Sequence, residues 1–311
     1  MTRSFFLLLA ISVLAASLLA CEGAVDGDDR VRVVATTNVV GDLVRTIGGD
    51  DISLTTLMGP GVDPHLYRAS EGDAQRMSRA DIVFYNGHHL EGRMTDLFEQ
   101  MGQRGVRTEA LAEIVPDSLL ISSPDFPGNK DPHVWLDASL WKLAAAHVRD
   151  VLSDADPDNA DLFAERTDEL LAELEEVDAY VRNRAQEVPE RQRVLITSHD
   201  AFKYFGRAYG FDVRGLQGIS TATEAGTSDV QRMAAFVVER EIPVLFAESS
   251  VPERGIEAVR RAANSRGFNA TFGGTLYGDA LGDAETPEGT YVGMMRHNID
   301  TIVDGLLSDP V

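Results

Sequence analysis

The chain has 311 residues, a single cysteine and a formal net charge of −22 at pH 7. This acid excess argues against nucleic acid as a partner, because nothing in the chain could neutralise phosphates along a groove. One cysteine leaves no pair for an internal disulfide. After the N-terminal segment, roughly 280 residues remain, enough for one large domain or two lobes with a substantial core.

The first predicted element is a signal peptide over residues 1–20. Arg3 precedes an apolar run over residues 5–20 that is too short and too poorly flanked for a good transmembrane span. The run ends in Leu-Leu-Ala-Cys, which resembles the bacterial lipobox, so we expect Cys21 to become the lipidated first residue of the mature chain. Ordinary secretory cleavage nearby is the alternative. Residues 21–30, rich in Gly, Asp and Ala, are predicted to form a lipidated, flexible tether.

An N-terminal lobe is predicted over residues 31–154, where short β-branched runs alternate with amphipathic stretches. The pattern predicts strands over residues 31–36, 52–57 and 82–85, and helices over residues 38–47 and 69–78. This alternation is typical of a largely parallel sheet covered by helices. In such sheets the ligand crevice lies beyond the carboxyl ends of the strands.

A single long helix is predicted over residues 155–188. Asp156 and Pro157 open a segment in which apolar residues recur at helical spacing as far as Glu187. At 1.5 Å per residue, about 30 residues span roughly 45 Å. This length is enough to run along a protein of two lobes.

The βα pattern resumes in a C-terminal lobe, predicted over residues 189–311. The predicted strands cover residues 194–197 and 244–247, and the predicted helices cover residues 201–209, 229–240, 253–266 and 290–307. The fold class is therefore expected to be α/β, with two βα lobes of mostly parallel sheets joined by one long backbone helix. GxGxxG, GxxxxGK[ST] and GxSxG motifs are absent, so nucleotide-binding and serine-hydrolase functions lose their usual sequence support.

Two copies of Asp-Pro-His, at residues 63–65 and 131–133, contain the first candidate ligands. Proline fixes its own φ and biases the preceding residue toward extended backbone, so each tripeptide is interpreted as a rigid loop that can hold an imidazole. A third histidine, His199, follows the predicted strand over residues 194–197, and Asp279 lies in a Gly-Asp-Ala segment. Imidazoles and a carboxylate from loops of both lobes are the groups that bind a divalent metal.

The four candidate metal ligands are thus His65, His133, His199 and Asp279. Among the other histidines, His88 and His89 are expected to lie in a turn, with a solvated or capping role. His147 and His297 are expected to lie within helices, as packing or surface groups.

Three further residues are expected to support the site. Glu248 follows an apolar run and could orient a ligand imidazole through a hydrogen bond, or it could be a plain loop acid. Trp135 and Tyr67 are adjacent to candidate ligands and are expected to shield the site from water without contacting metal.

The motifs together resemble a known family. The segments are DPH at 63–65, DPHVWLD at 131–137, SHDAF at 198–202, GLQG at 215–218, GDALG at 278–282 and EGTYVGM at 288–294. In this order, over nearly the whole mature chain, they look like those of the solute-binding lipoproteins of manganese and zinc ABC transporters, the cluster A-I type. The resemblance implies that His65, His133, His199 and Asp279 bind the transported ion, and that the chain is not an enzyme.

The same resemblance implies a setting and a set of partners. The chain is expected in the bacterial cell envelope, on the periplasmic or extracellular face, anchored to the membrane through Cys21. Its partners would be an ABC permease with its ATPase, and it would act as a monomer. The long helix would limit closure to a small rocking motion, with His199 and Asp279 closing on an ion held by the other two ligands. Displacement of Asp279 is the expected first step of release.

The identity of the ion is open between Zn²⁺ and Mn²⁺. Many manganese binders of the family have a glutamate where this chain has His199, and a nitrogen-rich set of four ligands suits Zn²⁺. Dedicated zinc binders of the family, however, often have a histidine-rich loop before the second ligand. The corresponding residues 117–130 contain no histidine.

Two functions from other classes stay as alternatives. A secreted zinc hydrolase is one, because three histidines can hold a catalytic Zn²⁺ with water in the fourth position. Asp279 argues against it by filling that position, and the HExxH pattern is absent. A surface adhesin is the other, which lipidation permits but which no motif encodes.

Overall fold

Residues 29–123 and 128–308 are described by the computed structural model of the chain. The predicted signal peptide, Cys21 and all but the last two residues of the predicted tether lie outside these ranges. Within them, no helix combines the length and the apolar character needed to cross a bilayer. From Val31 on, the chain belongs to one compact unit.

Eight strands in the described ranges form parallel pairs. They are β1 (Val31–Ala35), β2 (Ile52–Thr56), β3 (Ile82–Tyr85), β4 (Arg107–Ala110), β5 (Val194–Thr197), β6 (Asp212–Gly215), β7 (Val244–Glu248) and β8 (Thr271–Leu276). The first four form a sheet in the order β2-β1-β3-β4, and every pairing in it is parallel. The others pair as β5-β6 and β7-β8, also parallel, with β5 lying next to β7.

Nine α-helices occur in the described residues. They are α1 (Asn38–Gly48), α2 (Glu71–Arg79), α3 (Thr95–Gln103), α4 (Ala138–Ala155), α5 (Ala160–Glu187), α6 (Lys203–Tyr209), α7 (Thr227–Glu239), α8 (Arg254–Asn264) and α9 (Tyr291–Leu307). Residues before α5 are called the N-terminal half below, and residues after α5 the C-terminal half. The predicted α/β class with mostly parallel sheets is confirmed.

The long helix α5 has 28 residues and begins at Ala160, because Pro157–Asn159 forms a 3₁₀ turn first. It ends before Pro189, where Val188 has the extended backbone that a following proline imposes. Its buried side chains recur every three or four residues, as a helix with one apolar stripe requires: Phe163, Thr167, Leu170, Leu174, Val177, Val181 and Ala185. This stripe packs against α1 and α4 of the N-terminal half and α9 of the C-terminal half.

The main apolar core continues through both halves. One cluster of buried side chains includes Val33 and Phe84 from the first sheet, Val177 from α5, and Phe246 and Ile299 from the C-terminal half. Burial of a continuous apolar surface favours keeping the halves together. The division into lobes at residues 154 and 188 stays a prediction.

Candidate metal centre

The second Asp-Pro-His loop holds its histidine firmly. Asp131 Oδ1 accepts a hydrogen bond from the backbone N–H of His133 at 3.0 Å and lies 2.7 Å from its Nδ1. Tyr204, from α6 in the C-terminal half, donates its hydroxyl to the carbonyl of Asp131 at 3.0 Å. With Nδ1 hydrogen-bonded to a carboxylate, Nε2 is the nitrogen left to bind a ligand.

The first Asp-Pro-His loop uses the same residues differently. Asp63 Oδ1 again accepts the backbone N–H two residues on, at 2.9 Å from His65. Its other oxygen, however, accepts a hydrogen bond from the hydroxyl of Thr221 at 2.6 Å. Asp63 therefore connects the two halves of the chain. Among the described residues, neither ring nitrogen of His65 has a hydrogen-bond partner.

His199 lies two residues beyond the end of β5, in the crevice position that the parallel sheet predicts. Glu248, the last residue of the neighbouring β7, accepts the backbone N–H of His199 at 2.8 Å through Oε1. Its Oε2 lies 2.9 Å from Nδ1 of the same histidine. The carboxylate of Glu248 thus contacts both the main chain and the ring of His199, an arrangement suited to orienting the imidazole.

Asp279 brings the three imidazoles together. Its carboxylate oxygens lie 3.2 Å from Nε2 of His199, 3.3 Å from Nε2 of His133 and 3.8 Å from Nε2 of His65. All four side chains are buried, and one ligand atom from each lies within 4.8 Å of the others. The four candidates named from the sequence therefore form one cluster, with two residues from each half.

Electrostatics inside this cluster favour protonated imidazoles facing an ionised carboxylate. Burial alone would lower the pKa of His133, but Asp131 and Asp279 outweigh it and raise the pKa to about 9. Burial opposes charging of His199 as well, yet Asp279 and Glu248 raise its pKa well above the ordinary value. Burial would raise the pKa of Asp279, but His199 and His133 hold it well below its usual range.

His65 behaves in the opposite way. Burial lowers its pKa to about 3, and Asp279 opposes this only in part. Its imidazole is therefore neutral at physiological pH, with a lone pair available for bonding.

Although the carboxylate of Asp279 lies close to the imidazoles, several buried polar atoms of the cluster make no well-formed hydrogen bond with any described residue. They include Nε2 of His65, His133 and His199 and both carboxylate oxygens of Asp279. Buried polar groups are rarely left unpaired, and five in one place call for an explanation. Imidazole nitrogens and a carboxylate around a common centre form a donor set that fits a four-coordinate divalent metal ion.

The two aromatic residues next to the candidates differ from each other. Trp135 is buried, its ring centroid lies 5.2 Å from that of His133, and its Nε1 donates to the carbonyl of Gly278 at 2.9 Å. It covers one side of the cluster, as expected. Tyr67 is only half-buried and donates its hydroxyl to Asp73 at 2.8 Å, at the start of α2.

The other four histidines lie outside the cluster. His147 contacts the carboxylate of Glu109 at 2.9 Å, and His297 lies 3.0 Å from the carbonyl of Thr275. His88 and His89 have left-handed backbones, with φ of 47° and 62°. Together with His65 they line a cavity of about 140 Å³.

Several residues that support the ligands were given no role in the sequence analysis. Asp63 and Asp131 are part of the Asp-Pro-His motif, and an aspartate is a local signal for the turn in which its side chain accepts the backbone N–H two residues on. Thr221 carries no such local signal, because its partner Asp63 lies 158 residues away in the chain.

Comparison with known proteins shows the family. Residues 33–305 match the family model described as "ZnuA: Zinc-uptake complex component A periplasmic". The chain is 46% identical over 280 residues to the zinc-binding protein TroA of Treponema pallidum, and 45% identical over 280 residues to the manganese-binding lipoprotein MntA of Bacillus subtilis. Each alignment covers 90% of both chains.

The fold leads to the same family. The solved structure of the periplasmic zinc-binding protein TroA from Treponema pallidum superposes with a TM-score of 0.87, covering 90% of this chain and 100% of that one. With the family model matching most of its length, this chain belongs to the ZnuA family, which is described as the periplasmic component A of zinc-uptake complexes.

Proposed function

We propose that this chain is an extracytoplasmic receptor that captures Zn²⁺ or Mn²⁺ between its two halves and delivers the ion to an ABC permease for import. The observation that carries this proposal is the buried cluster of His65, His133, His199 and Asp279. Its five unpaired donor atoms suit a metal ion, and its residues come in equal number from each half. A site shared between two halves can bind when they approach and release when they separate.

The family is one of metal-uptake receptors and not of enzymes. The hydrolase alternative therefore loses its support, and Asp279 would supply the fourth ligand in place of the water that a hydrolase needs. No observation on the described residues favours the adhesin alternative.

Both ions remain within the proposal. One relative is named a zinc-binding protein and another a manganese-binding lipoprotein, at nearly equal identity. Three nitrogens and one carboxylate favour Zn²⁺, because Mn²⁺ prefers more oxygen ligands and stands at the weak end of the Irving–Williams series.

The test is a competitive titration. Protein purified without added metal should contain one bound ion per chain, and wild type should prefer Zn²⁺ over Mn²⁺. In His199→Glu, an oxygen ligand replaces a nitrogen, so we expect the Zn²⁺ preference to fall by about 10- to 100-fold. Elemental analysis and competition with a metal-sensitive dye measure both quantities. An unchanged preference in His199→Glu would refute this ligand set.

Glu248 is proposed to orient the imidazole of His199. Glu248→Gln keeps the shape of the side chain but removes the charge beside Nδ1, so metal affinity should fall by about 10- to 100-fold. Glu109→Gln is the matched control, since it breaks a contact between a glutamate and a histidine outside the cluster. Isothermal titration should show no loss in the control. Equal affinities in both variants would contradict the role of Glu248.

The ATPase as a partner, the monomeric state and the lipid anchor are also proposed. The chain would meet the permease and its ATPase as a monomer, and lipid on Cys21 would anchor it to the outer face of the membrane. The full chain expressed in a bacterial host with labelled palmitate should incorporate the label, and Cys21→Ala should lose it, because the thiol of Cys21 would carry the lipid. Autoradiography of the immunoprecipitated chain gives the result. Incorporation that Cys21→Ala leaves unchanged would argue against lipidation there.

A further inference from the structure

The segment that carries Asp279 is held at three points. Asn298, from α9, accepts the backbone N–H of Tyr277 at 2.9 Å and donates to its carbonyl at 2.8 Å. Trp135 donates to the carbonyl of the next residue, Gly278, at 2.9 Å. The third point is Leu281, two residues beyond the carboxylate. The main chain on each side of Asp279 is therefore fixed by side chains distant in sequence.

Asn38 holds that third point with both ends of its amide. Its Oδ1 accepts the backbone N–H of Leu281 at 3.0 Å, and its Nδ2 donates to the carbonyl of the same residue at 3.1 Å. An asparagine side chain offers one acceptor and one donor group, and so can pair with both polar groups of a peptide. Leu281 is buried, so losing this pairing would leave two backbone groups without a partner.

The origin of Asn38 distinguishes it from Asn298. Asn298 lies in the same half as Asp279, whereas Asn38 is the first residue of α1, three residues after the end of β1 in the other half. The hydroxyl of Thr37 caps this helix by accepting the N–H of Val40, so Asn38 projects from a fixed helix start. The carboxylate ligand from the C-terminal half is thus held in place by the N-terminal half.

The fit around the segment is close. A Cβ atom on Gly278 would lie only 2.4 Å from Oε2 of Glu248, so the backbone before Asp279 passes directly over the carboxylate beside His199. Small displacements of this segment would therefore change the position of Asp279 relative to the histidines. Because Asp279 supplies the only negative charge among the four candidate ligands, its position governs how tightly an ion is held.

On the basis of the proposed function, we propose that Asn38 is a positioning residue for Asp279. It keeps the carboxylate over the three imidazoles while the two halves are together. When they separate, the same two hydrogen bonds break or pull on Leu281, and the carboxylate loses its position. Asn38 then acts mainly on the rate at which the ion leaves, and little on the rate at which it enters.

The test compares Asn38→Ala with Asn264→Ala in the full chain. Asn264 makes the same pair of hydrogen bonds to one residue, accepting the N–H of Ala270 at 2.8 Å and donating to its carbonyl at 3.4 Å. Ala270 precedes β8, at the end of the strand away from Asp279. Both variants should lose comparable stability in urea unfolding of the metal-free protein.

Dissociation of Zn²⁺ into excess chelator, followed by stopped flow, should separate the two. We expect the off-rate of Asn38→Ala to rise about tenfold with its association rate nearly unchanged. The off-rate of Asn264→Ala should stay within about twofold of wild type. Asn38→Asp keeps the acceptor for Leu281 N–H and suits a helix start, but it turns a carboxylate oxygen toward the carbonyl of Leu281, so it should fold and also raise the off-rate.

Either of two results would overturn the inference. One is a folded Asn38→Ala whose off-rate matches wild type. The other is an equal acceleration in Asn264→Ala, which would show a general loss of stability. If wild type bound neither Zn²⁺ nor Mn²⁺, the proposed function itself would fail. The measurement on wild type shows this result separately from the comparison of the two variants.

Discussion

Asp279→Asn should weaken Zn²⁺ binding by roughly 100- to 4000-fold, since removing one member of a buried charged group costs about 3–5 kcal/mol and 1.4 kcal/mol is a factor of ten. The substitution keeps the shape of the side chain and removes only its charge. In the wild type, the carboxylate oxygens of Asp279 face Nε2 of all three histidines within 3.8 Å, and Asp279 is the only carboxylate among the four candidate ligands.

Asp283→Asn is the matched control for this variant. Asp283 lies in the same loop and is exposed, and its replacement by asparagine removes the same formal charge. Isothermal titration should give near wild-type affinity for Asp283→Asn, and stopped-flow dissociation should be fast only in Asp279→Asn. If Asp279→Asn left both the affinity and the off-rate unchanged, Asp279 would not be a ligand and the proposed release step would be wrong.

The affinity for metal should depend steeply on pH. In the metal-free protein His133 has a pKa of about 9 and the pKa of His199 is also raised, so at pH 7 each carries a proton on the nitrogen that must bind the ion. Each proton displaced lowers the apparent affinity about tenfold per pH unit below its pKa. We expect a fall of about 100-fold from pH 7 to pH 6. His65, with a pKa of about 3, should add nothing.

The same pKa values fix the direction of the effect on stability. The pKa of His133 is higher in the folded chain than its ordinary 6.5, so its contribution to metal-free stability is present below pH 6.5 and is lost as pH rises toward 9. Metal affinity rises over that range. The increase in melting temperature caused by Zn²⁺ should therefore grow from pH 6.5 to 9.

Calorimetry in buffers of different ionisation enthalpy checks the proton count. About two protons should be released per ion at pH 7. His147→Ala, which removes a histidine outside the cluster, should leave this number unchanged. Release near zero, or an affinity independent of pH after buffer correction, would contradict the protonation of His133 and His199.

The βα order could be predicted because it depends on local patterns. Apolar runs of β-branched residues indicated β1, β3, β5 and β7, and the spacing of apolar residues predicted α5 to within five residues at its start. Strands β4, β6 and β8 were not predicted. Their residues are polar or include glycine, and their strand character comes from pairing with a buried neighbour.

The candidate ligands were also visible in the sequence, because a metal needs particular side chains and because proline stiffens the loops that carry two of them. What holds these ligands was not visible. The two Asp-Pro-His loops are identical in sequence, yet Asp131 bonds the ring of His133 whereas Asp63 reaches Thr221, 158 residues away. Only the folded chain decides which partner each carboxylate meets.

The sequence by itself thus determined the α/β class, the long helix and the identity of the four clustered side chains, since each depends on residue type and short-range spacing. The tertiary structure alone decided the distances within the cluster, the protons it holds and the hydrogen bonds between Asn38 and Leu281. These depend on burial and on contacts between residues more than 200 positions apart, such as the 243 that separate Asn38 from Leu281. No local pattern encodes such contacts, because packing of the whole core brings them together.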